Sequence, residues 1–229
     1  MITFTSSNRI VTGLSGLLGG LLSVLMVGLY FVYSGPPPAS NVLARNLITV
    51  VTFAGFLIFA VGLQRMLRAA GRGDPGMAGS IATTALLTYV AVTLVSASLE
   101  VGTSLQFPDG SKDPTFFGPL AAGMTLLHGP IARILVATFL IALTVAAAGP
   151  RALPRPVLVG NVILGIVNIA LIPSLFFGMD PANFYAANGW GAVASIGAIN
   201  VIWFAVLGAS VLRARIVPAE PRASAQAIA

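Results

Sequence analysis

The stretch IVTGLSGLLGGLLSVLMVGLYFVY, residues 10–33, runs for 24 residues without a charged side chain. A helix rises ~1.5 Å per residue and needs ~20 apolar residues to cross a bilayer core of ~30 Å, so this stretch is long enough to span one. Arg9 precedes the stretch, as in a signal peptide, but the apolar core of a signal peptide is only ~7–15 residues long. We therefore predict an uncleaved first transmembrane helix.

Small residues recur four apart within this helix, as Ser15 with Gly19 and Gly16 with Gly20. Residues that share one face of a helix and lack bulk let a second helix approach closely. This spacing predicts a tightly packed face on the first helix.

Five more apolar stretches follow, at residues 47–67, 78–99, 131–148, 157–177 and 190–212. Of the 229 residues, 57% are hydrophobic and 8% are charged, against roughly 25% charged in a typical soluble domain. We predict an all-α, polytopic membrane protein with six transmembrane helices in one bundle. The bundle occupies residues 1–217, and the Pro-, Ala- and Ser-rich residues 218–229 form a disordered cytoplasmic tail.

Basic residues divide unequally between the two ends of these helices. The end that holds both termini carries nine of them: Arg9, Arg65, Arg68, Arg72, Arg151, Arg155, Arg213, Arg215 and Arg222. The other end carries only Arg45 and Lys112 in its connections. Since basic residues concentrate on the cytoplasmic side, both termini are predicted to be cytoplasmic in a multi-pass protein of the cell membrane, with a bacterial cytoplasmic membrane favoured.

Composition also excludes several chemistries. The chain has no cysteine and one histidine, so neither a thiolate nor a histidine cluster is available for a metal. Glycine-rich phosphate loops and the sequence patterns of zinc proteases and serine hydrolases do not occur. We expect no metal and no cofactor, and the net charge of +6 reflects membrane topology rather than nucleic-acid binding.

One acidic residue has no local explanation. Glu100 follows the third apolar stretch, and Arg133 lies near the start of the fourth. Counting along the helices places both residues at similar depth near the external boundary, where charged groups rarely stay unpaired. We predict an interhelical Glu100–Arg133 pair, the alternative being that each side chain extends separately into the interface.

The only histidine lies beside a Gly-Pro break. Proline favours the first position of a helix, so Gly129-Pro130 is predicted to open the fourth transmembrane helix with His128 at the external boundary. There His128 is either a hydrated interfacial residue or a proton carrier. Residues 116–127 are apolar but too short to cross a bilayer, so they are re-entrant, interfacial or an additional part of the fourth helix.

Polar and aromatic residues complete the candidate set. Asn168 and Asn200 lie near the middle of the last two helices, where they form interhelical hydrogen bonds or line a cavity. Tyr30, Tyr185 and Trp190 belong to a group of aromatic residues near the external side, which is typical of an interfacial belt and also suits an amphiphilic ligand. Ser40 or Asn41 is placed to cap the second helix.

The turn Arg151-Ala152-Leu153-Pro154-Arg155-Pro156, followed by a helix with Gly160 and Gly165, resembles a feature of small six-helix bacterial integral membrane proteins grouped as a domain of unknown function. In that family an acid occurs in the third helix, to which Glu100 corresponds. This chain has Pro156 where the family tends to have an aromatic residue, and no arginine one turn before Glu100. The resemblance spans helices three to five and implies six helices without implying an activity.

Three functions are compatible with these residues. The leading hypothesis is a non-catalytic protein that binds or passes a small hydrophobic or amphiphilic molecule through an externally open cavity. Its candidate ligand-binding residues share membrane depth or the external boundary: Glu100, His128, Arg133, Asn168, Tyr185, Trp190 and Asn200.

The second hypothesis is a membrane-embedded enzyme acting on a lipid or isoprenoid, with Glu100 as acid or base and His128, Asp109 or Asp113 assisting. Pairing with an arginine lowers the pKa of a carboxyl, whereas a carboxyl that transfers protons near neutral pH needs a raised pKa. The enzyme hypothesis is therefore weaker than the binding hypothesis. The third hypothesis is an accessory subunit of a larger membrane complex. Membrane lipids are expected partners in every case, and a homo-oligomer is compatible with all three.

Overall fold

A computed structural model describes residues 4–33, 35–71, 74–150 and 152–214. The predicted tail at 218–229 lies outside these residues, as do Arg72, Arg151, Arg215 and Arg222 of the basic residues used to orient the chain.

Seven α-helices account for most of the described residues. They are α1 Ser6–Leu29, α2 Ala39–Ala70, α3 Gly76–Gln106, α4 Gly118–Leu126, α5 Ala132–Ala148, α6 Arg155–Ala170 and α7 Ile196–Arg213. A π-helical turn, Leu127–Ile131, joins α4 to α5, a 3₁₀ segment, Ile172–Phe177, follows α6, and a second π-helical turn, Gly191–Ser195, leads into α7.

These elements form six spans that are long and apolar enough to cross a membrane. The part of the chain that the structure describes contains helices and turns but no strand. The predicted all-α fold with six membrane-spanning helices is therefore confirmed.

Two helices extend well beyond the predicted stretches. Helix α2 begins at Ala39 rather than at residue 47, with Pro38 as its N-cap and no side-chain cap from Ser40 or Asn41. Helix α3 continues to Gln106 rather than ending at residue 99. As a result Arg45 and Glu100 lie inside helices, and not in a connection or at a helix end. Neither charged residue marks the end of its helix, because Arg45 and Glu100 neutralise each other within the bundle.

Residues 116–127 adopt the third of the predicted alternatives, since most of them form α4, the first part of the fourth span. The prediction that Gly129-Pro130 opens this span is wrong, because the pair lies in its interior. Gly129 has φ −87° and ψ −113°, outside the helical region, and Pro130 has no N–H for the helical ladder. The span is therefore kinked between α4 and α5.

Both ends of the described chain lie on one side of the bundle, where Arg9 Nη1 donates to the carbonyl oxygen of Ala214 at 3.1 Å. We call this side the terminal end. The opposite side, the open end, carries the connections at residues 30–33 with 35–38, 107–117 and 171–190. The cytoplasmic location of the terminal end stays a prediction.

Glycines let α1 pack closely against its neighbours α2 and α7. A Cβ built on Gly20 would lie 2.6 Å from the Cβ of Ala205, and one on Gly16 would lie 2.8 Å from the ring of Phe59. On α7, a Cβ at Gly208 would collide with the backbone of Leu17. The small-residue spacing in α1 thus correctly predicted a close helix contact.

Aromatic rings fill the centre of the bundle around Phe204 of α7. Its ring centroid lies 4.8 Å from that of Phe56, 5.9 Å from that of Tyr89 and 5.7 Å from that of Phe139. These rings come from α2, α3 and α5, so one side chain of α7 joins four spans. Such contacts add about 0.5–1.5 kcal/mol per pair beyond simple burial.

The α1–α7 contact predicts a large effect from one methyl group. Gly20→Ala should lower the free energy of unfolding by about 1–3 kcal/mol, because the added Cβ overpacks a rigid backbone contact. The measurement is reversible unfolding of the purified protein in mixed micelles. Gly28→Ala is the matched control in the same helix, since a Cβ there meets no atom within 4 Å. Equal effects of the two substitutions would contradict this account of the packing.

Candidate functional site: a buried ion pair beside a cavity

Glu100 is the centre of a buried polar cluster near the open end. Its carboxylate forms a salt bridge with Arg45 Nη2 and accepts a hydrogen bond from Asn46 Nδ2 at 2.8 Å. The hydroxyl of Tyr30, just after α1, donates to the same carboxylate at 3.3 Å. With Glu100 only 1% exposed, donors from two other parts of the chain replace the water that the carboxylate lost.

Arg45 is held from two sides. Its guanidinium pairs with Glu100 and also lies over the ring of Tyr30, 3.8 Å from the ring centroid. Such a cation–π contact stabilises a desolvated guanidinium by about 1–2 kcal/mol. Arg45, Tyr30 and Glu100 therefore form one unit that joins α2, the end of α1 and α3.

The predicted Glu100–Arg133 pair is not formed. Arg45 takes the place of Arg133 because α2 begins early enough to carry Arg45 into the bundle at the depth of Glu100. Arg133 turns its guanidinium to the backbone of the kink instead. Its Nε donates to the carbonyl oxygen of Gly129 at 3.2 Å and its Nη2 donates to that of His128 at 2.5 Å.

His128 lies at the kink and contacts α3. Its Nδ1 is 2.7 Å from Ser96 Oγ, which also lies 2.9 Å from the carbonyl oxygen of Met124. The tautomer of the ring sets which of Nδ1 and Oγ donates, and the contact joins the kink to α3. His128 lies inside the fourth span rather than at a helix start, and its position at the external membrane boundary stays a prediction.

A cavity of about 750 Å³ opens between the helices at the open end. Its wall combines residues of α1, α2, α3, the kink and α7 with the three connections of that end. On the last span the lining runs from Trp190 to Val201, a depth of roughly 16 Å at ~1.5 Å per residue. The volume lies within the ~300–1,000 Å³ that is usual for small-molecule sites.

Small residues on α7 and the turn before it create this space. Ala194, Gly197 and Ala198 face the cavity, where larger side chains would fill it. At the bottom, Phe53 and Tyr89 line the cavity and also belong to the aromatic core. Their ring centroids are 5.6 Å apart, and Phe56 and Phe204 pack beneath them. The cavity is therefore bounded by packed rings on the side of the terminal end.

Three of the predicted ligand-binding residues line this cavity: His128, Arg133 and Trp190. The ring of Trp190 also packs on Phe31, with centroids 5.3 Å apart. Glu100 is not among the residues that line the cavity, but its partner Arg45 is.

Asn168 and Asn200 adopt the first of their predicted alternatives. Each donates its amide to the other across α6 and α7, at 3.0 and 2.9 Å. Both are buried, and Asn161 accepts from Trp203 along the same interface at 2.8 Å. The Tyr185 hydroxyl donates to the carbonyl oxygen of Ala170 at the end of α6. These residues join helices and are not among those that line the 750 Å³ cavity.

The two aspartates considered as catalytic assistants have local roles. Asp109 is exposed and accepts a hydrogen bond from the Ser111 N–H at 3.1 Å, and hydrogen bonds from Ser111 lower the pKa of the Asp109 carboxyl. It therefore remains a carboxylate near neutral pH and is a poor proton donor. Asp113 accepts from the backbone N–H and the hydroxyl of Thr115, at 2.8 and 2.6 Å, and lines the cavity near its mouth.

Several site residues were not recognised as such in the sequence. Arg45 was assigned to a connection, Tyr30 to the aromatic belt, and Asn46 and Ser96 to no role. The signal for Arg45 was the Pro38-Ala39-Ser40-Asn41 run, whose predicted cap already placed the helix start before Arg45. Ser96 and Asn46 carry no signal, because single small polar residues are common in transmembrane helices.

The fold and the buried polar cluster fit an integral membrane protein built as a multi-pass helical bundle. Comparisons with family models, curated proteins and solved structures gave no match to this chain. The resemblance to the six-helix bacterial family therefore stays a prediction.

A double-mutant cycle tests the ion pair. Glu100→Gln should lower the free energy of unfolding by about 3–5 kcal/mol, because it leaves the buried Arg45 guanidinium without its counter-charge. In the Glu100→Gln background, Arg45→Gln should lower the free energy of unfolding by much less than it does in the wild-type protein. The measurement is unfolding in mixed micelles for the two single variants and the double variant.

The matched control combines Glu100→Gln with Arg133→Gln. Those two effects should add to within about 0.5 kcal/mol, as expected for groups that share no partner. Strong coupling of Glu100 with Arg133 and none with Arg45 would reverse the assignment of the pair.

Proposed function

We propose that this protein binds a small amphiphilic molecule in the cavity at its open end. The observation that carries the proposal is the cavity itself, about 750 Å³ of space in a bundle whose centre is otherwise packed. A helical bundle gains dispersion contacts by closing such a space, so an open one of ligand size is consistent with an occupant.

The chemistry of the wall supports an amphiphile. Aromatic and aliphatic side chains such as Phe53, Val193 and Val201 suit an apolar chain. His128 and Arg133 supply a polar spot at the kink, where a head group would find an imidazole and a guanidinium. This division into a large apolar surface and a few placed polar groups is typical of small-molecule sites.

Binding is favoured over passage through the bundle. The rings of Phe56, Phe139 and Phe204 are each no more than 1% exposed and lie between the cavity and the terminal end. A path across the bundle would require these rings to separate. If the terminal end is cytoplasmic, as the arginines predict, the cavity opens to the external side.

The enzyme and accessory-subunit hypotheses remain predictions without a supporting contact. Glu100 accepts from three protein donors and is not among the residues that line the cavity, so it has no contact with a substrate there. Detection of turnover, or copurification of a partner in equal amount, would support one or the other.

Fluorescence of Trp190 offers a direct test. The chain has two tryptophans, and Trp190 lines the cavity, so a Trp203→Phe background leaves one indole in the wall. Two probes with the same chain and the same bromine quencher, 11-bromoundecanoate and 11-bromoundecan-1-ol, are titrated against purified protein in detergent. We expect saturable quenching with one site per chain for at least one probe, above the linear quenching caused by partition into micelles.

A cavity-filling variant provides the specificity control. Gly197→Leu projects a side chain into the cavity and should abolish the saturable part of the quenching. Gly102→Leu places the same side chain on α3 at a position where a Cβ meets nothing within 4 Å, and should leave it unchanged. Linear quenching alone for both probes, or the same behaviour in both leucine variants, would refute the proposal.

A further inference from the structure

Arg133 is a buried cation whose charge has no counter-ion. Its side chain is 3% exposed, and within the described residues Arg45–Glu100 is the only ion pair closer than 4.0 Å. Two carbonyl oxygens at the kink accept from Arg133, but they bring partial charges only. A desolvated guanidinium in this position is costly, and ionisable groups at membrane depth commonly serve a ligand or an ion.

The contacts of Arg133 use one edge of the guanidinium fork. Nε and Nη2 direct N–H groups at the carbonyl oxygens of Gly129 and His128. Nη1 is buried and has no hydrogen-bond partner. The edge formed by Nη1 and the second N–H of Nη2 is therefore left over, and two parallel N–H groups on such an edge match the oxygens of a carboxylate or phosphate.

Small residues of the cavity wall lie beside the guanidinium of Arg133. A Cβ built on Gly197 would lie 3.9 Å from Arg133 Nη2, so the guanidinium faces a glycine on α7. Gly197 and Arg133 both line the cavity, with Ala194 and Ala198 adjacent. The residues of α7 nearest the guanidinium therefore carry little or no side chain.

We propose that the ligand of this cavity is an anionic amphiphile, whose oxyanion head pairs with Arg133 while its apolar chain extends toward Trp190 at the mouth. This inference rests on the proposed function and adds the charge of the ligand to it. A carboxylate and a phosphate monoester share the required chemistry, namely two oxygens that accept from one guanidinium edge. The head supplies the counter-charge that the described residues do not.

The matched probes separate the head group from the chain. The wild-type cavity should bind 11-bromoundecanoate at least ~10-fold more tightly than 11-bromoundecan-1-ol at pH 8, where the acid is ionised, as expected for a charge-assisted pair. Arg133→Gln should weaken the acid ~10- to 100-fold and leave the alcohol nearly unchanged. Arg133→Lys keeps the charge without the fork and should retain part of the preference.

Controls decide between the possible outcomes. Arg65→Gln removes an exposed charge toward the terminal end of α2 and should leave both affinities as they were. Alcohol binding by Arg133→Gln also reports that the variant is folded. If neither probe binds saturably to the wild-type protein, the proposed function fails. If both bind equally and Arg133→Gln changes neither, the cavity binds amphiphiles and the anionic head is refuted.

A competition experiment distinguishes an amphiphile from a small free anion. Acetate and inorganic phosphate lack an apolar chain, so millimolar amounts of either should displace bromoundecanoate weakly. Complete displacement by one of them would assign the Arg133 edge to a free oxyanion and overturn the amphiphile. Decyl phosphate is the remaining competitor, and its displacement of the acid would extend the site to phosphate heads.

Discussion

Neutralisation of charge inside an apolar bundle is the constraint on which the open end of this protein depends. Glu100 is almost fully buried, and its carboxylate is tolerated because Arg45, Asn46 and Tyr30 all donate to it. Those donors fix the relative depth of α2 and α3 and hold the end of α1 over Arg45. Because a misaligned helix would leave the carboxylate unsatisfied at a cost of several kcal/mol, this one cluster sets the register of three spans.

Arg133, the second buried arginine, has no such neutralising partner among the described residues. Arg133 has only the carbonyl oxygens of the kink as acceptors, and these exist because Gly129 and Pro130 interrupt the helix beside it. The kink thereby creates a polar spot, and small residues of α7 such as Gly197 line the cavity beside it. The anionic ligand that we propose would supply the charge that Arg133 lacks among the described residues.

Helix ends are where inference from the sequence was weakest, and the two arginines show why. A charged residue was read as the limit of an apolar stretch, so Arg45 fell into a connection and Glu100 onto a helix terminus. Hydropathy measures what a residue costs in lipid, and that cost disappears when a partner on another helix neutralises the charge. Whether a partner exists depends on tertiary structure, whereas Arg133 was chosen because counting along consecutive helices placed it at the depth of Glu100.

The sequence by itself determined six apolar spans and the close contact made by the glycines of α1, and it limited Asn168 and Asn200 to interhelical hydrogen bonds or a cavity lining. Each of these follows from properties of single residues or fixed spacings, namely transfer free energy, small volume and the need of a buried amide for partners. Only the tertiary structure decided which arginine neutralises Glu100, which polar residues face the cavity and where the fourth span bends. Those outcomes depend on helix rotation and depth, which are set by packing among all the spans at once and leave no local pattern to read.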